Sequence, residues 1–359
     1  MNRLHRATLA VSTAFLVSVL GSPGASSASA DQISEGQWFH KFLRTDEAHK
    51  ITQGAGVVVA VVDSGVDATH PDLRGSVKPG ADLTREGPGD GRVDEFGHGT
   101  GMAGLIAAHG RVRGVAPAAT IMPVRNSIRG LTNTAEIASG IEWATAQGAD
   151  VISVSLANDF DDALLREAVR KAISADIVVV ASAGNKPVDK TVGYPAAIPG
   201  VLAVAGVGRD GQPAATSVSG AAVVISAPCD GITSTGLDHL WRTTSGTSDS
   251  TAIVSGAVAL VRAKYPELSA ADVIHRITAT AVDKGPAGRD PQYGYGVLDI
   301  VAALTADVPP LASPTPSASA NRPTEPDSNG SKTFMLIAGA VVIVVGVLAL
   351  LLIRSRRRR

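Results

Sequence analysis

The sequence predicts an α/β domain, built on a doubly wound, mostly parallel sheet with helices on both faces, followed by one C-terminal transmembrane helix. Three observations carry this. Val57 to Val62, Val151 to Val154, Ile177 to Ala181 and Val201 to Val207 are near-continuous apolar runs, the pattern of strands buried on both faces. Between them lie helical patterns. Thr134 to Gln147 spaces Ile137, Ile141 and Trp143 roughly as a helix would, and Ala163 to Ala175 sets Leu164, Leu165, Ala168, Val169 and Ala172 on one side. Last, Phe334 to Ile353 is an unbroken apolar run of 20 residues, the length needed to cross a hydrocarbon core of ~30 Å.

In chain order, residues 1–30 read as a secretory signal peptide. Arg3 and Arg6 form a positive start, Ala7 to Leu20 is apolar, and Ala28-Ser29-Ala30 is a small-residue cleavage pattern. Residues 31–306 form the globular domain, with 31–50 as an N-terminal extension. The chain's 359 residues, 45% hydrophobic, suffice for one core of roughly 250–280 residues plus appendages. Residues 307–332 are rich in Pro, Ser, Thr and Asn and read as a linker with a reach of about 25–30 Å. The transmembrane helix is placed at 333–353, its apolar run at 334–353. The tail, 354–359, holds Arg354 and Arg356 to Arg359, which keeps the C-terminus cytoplasmic and the globular part outside.

A net charge of −1 gives no ground for a nucleic-acid partner. The single cysteine, Cys229, excludes an intramolecular disulfide. No cysteine–histidine cluster suggests a metal, and no cofactor is expected.

In parallel sheets of this kind, sites lie beyond the carboxyl ends of the strands. Asp63 ends the first apolar run. His98 lies in Gly97-His98-Gly99-Thr100-Gly101, Asn185 closes the run from Val178, and Ser248 follows Gly246-Thr247 just before the apolar stretch Ala252 to Val261. Each alone has a plainer reading: a strand-end turn, a loop histidine, a left-handed turn residue and a helix cap. Together they supply what acyl transfer from an amide requires. Ser248 is the candidate nucleophile and His98 the base and then acid. Asp63 orients His98, and the Asn185 amide with the Ser248 backbone N–H binds the oxyanion. An α/β-hydrolase esterase would need a Gly-x-Ser-x-Gly elbow and the order Ser, Asp, His, which this chain lacks.

These blocks resemble the subtilase family of serine proteases, over about residues 50–303. His70-Pro71-Asp72-Leu73, Tyr194-Pro195-Ala196-Ala197 and Gly294-Tyr295-Gly296-Val297-Leu298-Asp299 add to the likeness. The layout from signal peptide to basic tail, with Gln37-Trp38 to Ala48-His49 before the first strand, resembles the mycosins, proteases associated with type VII secretion in actinobacteria. The resemblance implies a protein or peptide substrate, secretion-complex components as partners, and a single-pass place in the cell membrane. It also implies that no folded inhibitory propeptide precedes the domain. By the same resemblance, Ser155, Leu156 and Ala157 form the substrate-backbone strand, and Ser182, Ala183 and Gly184 line an open, apolar primary pocket.

The chain departs from the family pattern in three places, the mildest being Ala252 where the family usually has a proline that only pre-sets an early helical turn. Asp249 stands where the family usually has methionine, and Ala157 where it usually has glycine. A carboxylate aimed into the site would oppose an oxyanion, whereas one in solvent would be screened. The Ala157 methyl is expected to crowd the substrate backbone. These changes give a second reading, a slow or inactive pseudoprotease serving as a structural component of the secretion complex.

Overall fold

The apolar runs become strands of one seven-stranded parallel sheet in a computed structural model, which describes residues 30–84, 89–130 and 132–311. The strands are β1 (Val58–Asp63), β2 (Ala81–Asp82), β3 (Thr120–Arg125), β4 (Val151–Val154), β5 (Val178–Ser182), β6 (Leu202–Val207) and β7 (Ile225–Pro228). They lie in the order β2-β3-β1-β4-β5-β6-β7. The chain winds outward from β1 in one direction to β3 and in the other to β4, so the topology switches between β1 and β4. A separate antiparallel pair, β8 (Ile232–Thr235) and β9 (Trp241–Thr244), lies ahead of the nucleophile segment.

The helices are α1 (Ala30–Gly36), α2 (Phe39–Phe42), α3 (Thr45–His49), α4 (His98–Ala107), α5 (Thr134–Ala146), α6 (Ala163–Ser174), α7 (Thr247–Lys264), α8 (Ala270–Ala279) and α9 (Ile300–Thr305). Alternation along β1 divides the core in two. Val59 and Val61 pack with residues of α4 and α7 on one face, and Ala60 and Val62 with residues of α5 and α6 on the other. This is the doubly wound arrangement expected. The two anticipated helices are found within a residue of their expected ends. Asn133 starts α5 with a reciprocal capping box to Glu136, and Asp162 caps α6 by accepting from Leu164 and Leu165 N–H.

The extension forms α1 to α3 and is fastened at several points. Trp38 Nε1 donates to Asp230 O at 2.9 Å, and Arg44 reaches both carboxylate oxygens of Asp299 at 2.7 Å. Buried His40 bridges Thr45 Oγ1 at 2.7 Å and the Arg113 carbonyl at 2.9 Å. Burial pushes its imidazole down to about 4, so it is held neutral. Along this segment lies a groove of about 800 Å³, lined in part by Trp38, Lys41, Arg113 and Arg209, away from the strand ends that carry Asp63 and Ser155.

Among the described residues no helix is long and apolar enough to cross a membrane. The expected signal peptide up to residue 29, the linker beyond Leu311, the transmembrane run 334–353 and the basic tail lie outside the described residues.

Candidate active site

Four chain segments meet at the carboxyl edge of the sheet, around the switch between β1 and β4. Asp63 is the last residue of β1 and is almost completely buried. His98 opens α4, Ser248 is the second residue of α7, and Asn185 follows β5. The helix of His98 can approach β1 because residue 99 is glycine. A Cβ there would stand 2.1 Å from the Gly65 carbonyl oxygen and 3.1 Å from the Asp63 Cβ.

His98 Nδ1 lies 2.8 Å from both Asp63 oxygens. A carboxylate can only accept, so Nδ1 carries the proton and Nε2 holds the lone pair in the neutral ring. Asp63 Oδ1 also accepts from Ser64 N–H at 2.7 Å, and Ser64 Oγ accepts from Gly99 N–H at 3.0 Å. The aspartate and the histidine helix are thereby fixed to one another.

Asp94 holds that helix from its other side. Its carboxylate accepts from the backbone N–H groups of Phe96, Gly97 and Thr100 and from the Thr100 hydroxyl, at 2.7–3.0 Å. Gly97, the residue at the helix start, has no side chain to cap it, and Asp94 takes that role from three residues upstream. The aspartate before Gly97-His98 was a legible helix-start signal that the sequence reading passed over.

Half-buried Ser248 exchanges two hydrogen bonds with Ser155. Its hydroxyl donates to the Ser155 carbonyl, and the Ser155 hydroxyl donates to the Ser248 carbonyl, each at 3.2 Å. Among the described residues the Ser248 hydroxyl makes no hydrogen bond to His98. Asn185 is oriented by the residue just before Ser248: its Oδ1 accepts from Thr247 N–H at 2.9 Å and from Thr247 Oγ1 at 3.2 Å. This leaves Nδ2 as the free donor, near the positive N-terminal end of α7.

Asp189 completes the support. Its Oδ2 accepts from Asn185 N–H at 2.5 Å, while its own N–H donates to the Asn185 carbonyl at 2.8 Å. Burial raises its carboxyl above the ordinary range. Thr247 and Asp189 escaped the sequence reading. In the sequence Thr247 is only a flank of the candidate nucleophile, and Asp189 lies in a loop with no periodicity or motif to single it out.

Ser155, Leu156 and Ala157 continue from β4, and Ser182, Ala183 and Gly184 end or follow β5, so the structure brings both expected substrate segments beside Ser248. Asp249 takes neither of the two orientations anticipated. It is buried at 2% exposure and turned to Thr244 Oγ1, which donates to its two oxygens at 2.9 and 3.1 Å. Burial raises its carboxyl to about 6, against the opposing pull of Arg242, Thr244 and His98. Arg242 in turn donates to the Gly97 carbonyl at 2.8 Å, beside His98. Cys229 is buried beneath, with its thiol pushed up to about 12 and so inert as a nucleophile. Hydrogen bonds of the extension run to Arg113, Val115, Arg209, Asp230 and Asp299. Among the described residues no group of three or more His, Cys, Asp or Glu side chains is placed to hold a metal ion.

A fold of this topology with Asp, His and Ser so arranged defines a class of hydrolase, and comparison gives it a family. The subtilase family model matches residues 54–296, and the chain belongs to that family of serine endopeptidases. Subtilisin DY of Bacillus licheniformis is 38% identical over 260 residues, covering 70% of this chain and 92% of that protein. The thermostable alkaline protease of Halalkalibacterium halodurans is 38% identical over 266 residues, covering 73% of this chain and 71% of that protein.

Within the family the likeness is to the mycosin type. The crystal structure of MycP1 with the N-terminal propeptide removed superposes with a TM-score of 0.69 at 33% identity, covering 77% of this chain and 98% of that one. MycP1 from Mycobacterium smegmatis gives 0.71 at 31% identity, covering 80% and 88%. The first neighbour carries an N-terminal propeptide, removed in its crystal structure, whereas the resemblance to mycosins was expected to imply no folded inhibitory propeptide.

Proposed function

We propose that this chain is a membrane-anchored, extracytoplasmic endopeptidase that cleaves proteins through an acyl-enzyme on Ser248. The carrying observation is the buried Asp63–His98 pair, with both carboxylate oxygens 2.8 Å from Nδ1. In this reading His98 Nε2 takes the Ser248 proton as Oγ attacks the scissile carbonyl. Asp63 keeps the ring in the required tautomer and stabilises the imidazolium. The carbonyl oxygen, now negative, takes hydrogen bonds from Asn185 Nδ2 and Ser248 N–H. His98 then returns the proton to the leaving amine, and water repeats the sequence to free Ser248.

Ser155 to Ala157 and Ser182 to Gly184 hold the substrate on either side of the nucleophile. The C-terminal apolar run and its arginines support an anchor that holds the enzyme at the outer face of the membrane. The likeness to MycP1 from the ESX-1 type VII secretion system supports substrates and partners of such a system.

One observation favours a second reading, a slow or inactive component of the secretion complex. The Ser248 hydroxyl bonds to Ser155 rather than to His98, and a buried carboxylate follows it directly. A serine-directed fluorophosphonate probe separates the two in the full-length protein. Labelling lost in Ser248→Ala supports the enzyme. A folded protein that never labels supports the structural component. In cells, intact secretion with Ser248→Ala and failed secretion on deletion of residues 334–353 would favour the second reading.

A further inference from the structure

Asp249 stands one residue from the nucleophile, and no charged group bonds to it. Among the described residues the only side-chain donor to its carboxylate is the Thr244 hydroxyl, which is neutral. A counter-charge comes from the same strand. Residues two apart on β9 share a face, so Arg242 and Thr244 point the same way. Thr244 reaches Asp249 at the start of α7, and Arg242 donates through Nη1 to the Gly97 carbonyl at the start of α4, at 2.8 Å. One strand thus spans the gap between the helix that carries Ser248 and the helix that carries His98.

The Arg242 side chain is held along its length. A Cβ on Gly101 would stand 3.5 Å from its Cδ and Nε, and a Cβ on Gly236 would stand 3.5 Å from its Cγ. The hairpin is itself fastened to α4, because Ser234 Oγ donates to the Gly101 carbonyl and Thr235 Oγ1 to the Thr100 carbonyl, each at 2.6 Å. The guanidinium is therefore a fixed charge. Its hydrogen bond among the described residues goes to a neutral carbonyl, so no other carboxylate claims it. It acts on Asp249 through space, where burial leaves little water to screen the attraction. Burial drives the Asp249 carboxyl upward, and of the groups that pull against burial Arg242 contributes most, ahead of Thr244 and His98.

We propose that Arg242 is the counter-charge that lets this site work with a carboxylate next to its nucleophile. It offsets part of the Asp249 charge and so lowers the opposition that a developing oxyanion meets. This rests on Ser248 being the nucleophile. Arg242 is a positioning residue, acting through Asp249 rather than on the substrate.

The test measures the rate of fluorophosphonate labelling at pH 8 in the full-length protein, for Arg242→Met alone and combined with Asp249→Asn. Arg242→Met should label about tenfold more slowly than wild type. In the Asp249→Asn background the same change should cost no more than about twofold, because no charge remains to be offset. Arg242→Lys, which keeps the charge, should stay within about threefold of wild type. Thermal melting separates loss of fold from loss of rate, and Arg242→Gln replaces Arg242→Met in the same cycle if the latter does not fold. Equal losses in both backgrounds would make Arg242 only an anchor of α4 and overturn the counter-charge. So would an unchanged rate in Arg242→Met, or as large a loss in Arg242→Lys. Each of these leaves the nucleophile standing, whereas a wild type that never labels would overturn the nucleophile and the counter-charge with it.

Discussion

Thr244 Oγ1 donates to both carboxylate oxygens of Asp249, at 2.9 and 3.1 Å, joining β9 to the first turn of the helix that carries Ser248. A single hydroxyl does not replace the hydration that a carboxylate loses at 2% exposure, and the group's affinity for a proton rises accordingly. Above pH 6 the charge sits one residue from the nucleophile, where negative charge develops on the substrate. Asp249→Asn should raise kcat/KM at pH 8 by roughly tenfold, equivalent to about 1.4 kcal/mol. The gain should shrink below pH 6, where the native Asp249 is itself protonated. Parallel pH profiles of the two proteins check this, and a gain independent of pH would contradict it. The groups facing Asp249 that could share the effect are Arg242, His98 and Cys229.

The same carboxyl acts on stability, in opposition to His40. Its folded value of about 6 lies above 3.8, so the native state holds the extra proton and is favoured as pH falls from 6 towards 4. His40 has a folded value of about 4, below 6.5, so the unfolded state binds the extra proton and stability drops over nearly the same window. Each effect is on the order of 3 kcal/mol, and in the wild type they largely cancel. Asp249→Asn should therefore be more stable than wild type at pH 7.5 and lose that advantage by pH 4.5. Urea denaturation at the two values reads this directly.

Asp189 holds the backbone of Asn185 from both sides, at 2.5 and 2.8 Å. Asp189→Ala should let the Asn185 amide drift from its donor position and lower kcat by about tenfold, with KM little changed, because a misplaced oxyanion donor matters mainly in the transition state. Steady-state kinetics on one peptide would show the split. A rise in KM alone would indicate a substrate-binding role instead.

Asp94 accepts four hydrogen bonds at the start of α4. Asp94→Ala should cost about 2 kcal/mol of stability, at the upper end for a helix cap, and should loosen His98 as well. Thermal melting measures the first effect. Asp94→Asn should recover part of it, since the amide oxygen still accepts.

The layout of the sheet was legible because strands buried on both faces leave long apolar runs, as β4 does at Val151–Val154. β3 was not legible. Pro123 stands in its interior, opposite Val61, and reads as a breaker, yet it is accommodated between β2 and β1. The candidate triad was legible because each member ends a strand or opens a helix, where sequence context is strongest. Its supports were not, since Thr247 and Asp189 act through backbone groups of Asn185, and such contacts leave no pattern in the chain. Asp249 was recognised as a departure, but its burial depends on Thr244 and Arg242 in another element.

The reciprocal pair between Ser248 and Ser155 closes a small ring at the mouth of the site. Turning the Ser248 hydroxyl towards His98 breaks only the bond it donates, about 1 kcal/mol, so the turned form is populated about one time in six at rest. An extended peptide lying along Ser155 offers its own N–H to the Ser155 carbonyl and would break the ring as it docks. The site is then latched by default and released by its own substrate. Small reactive molecules that cannot pair with that strand would react only through the turned fraction, so they would label Ser248 more slowly than a docking peptide acylates it.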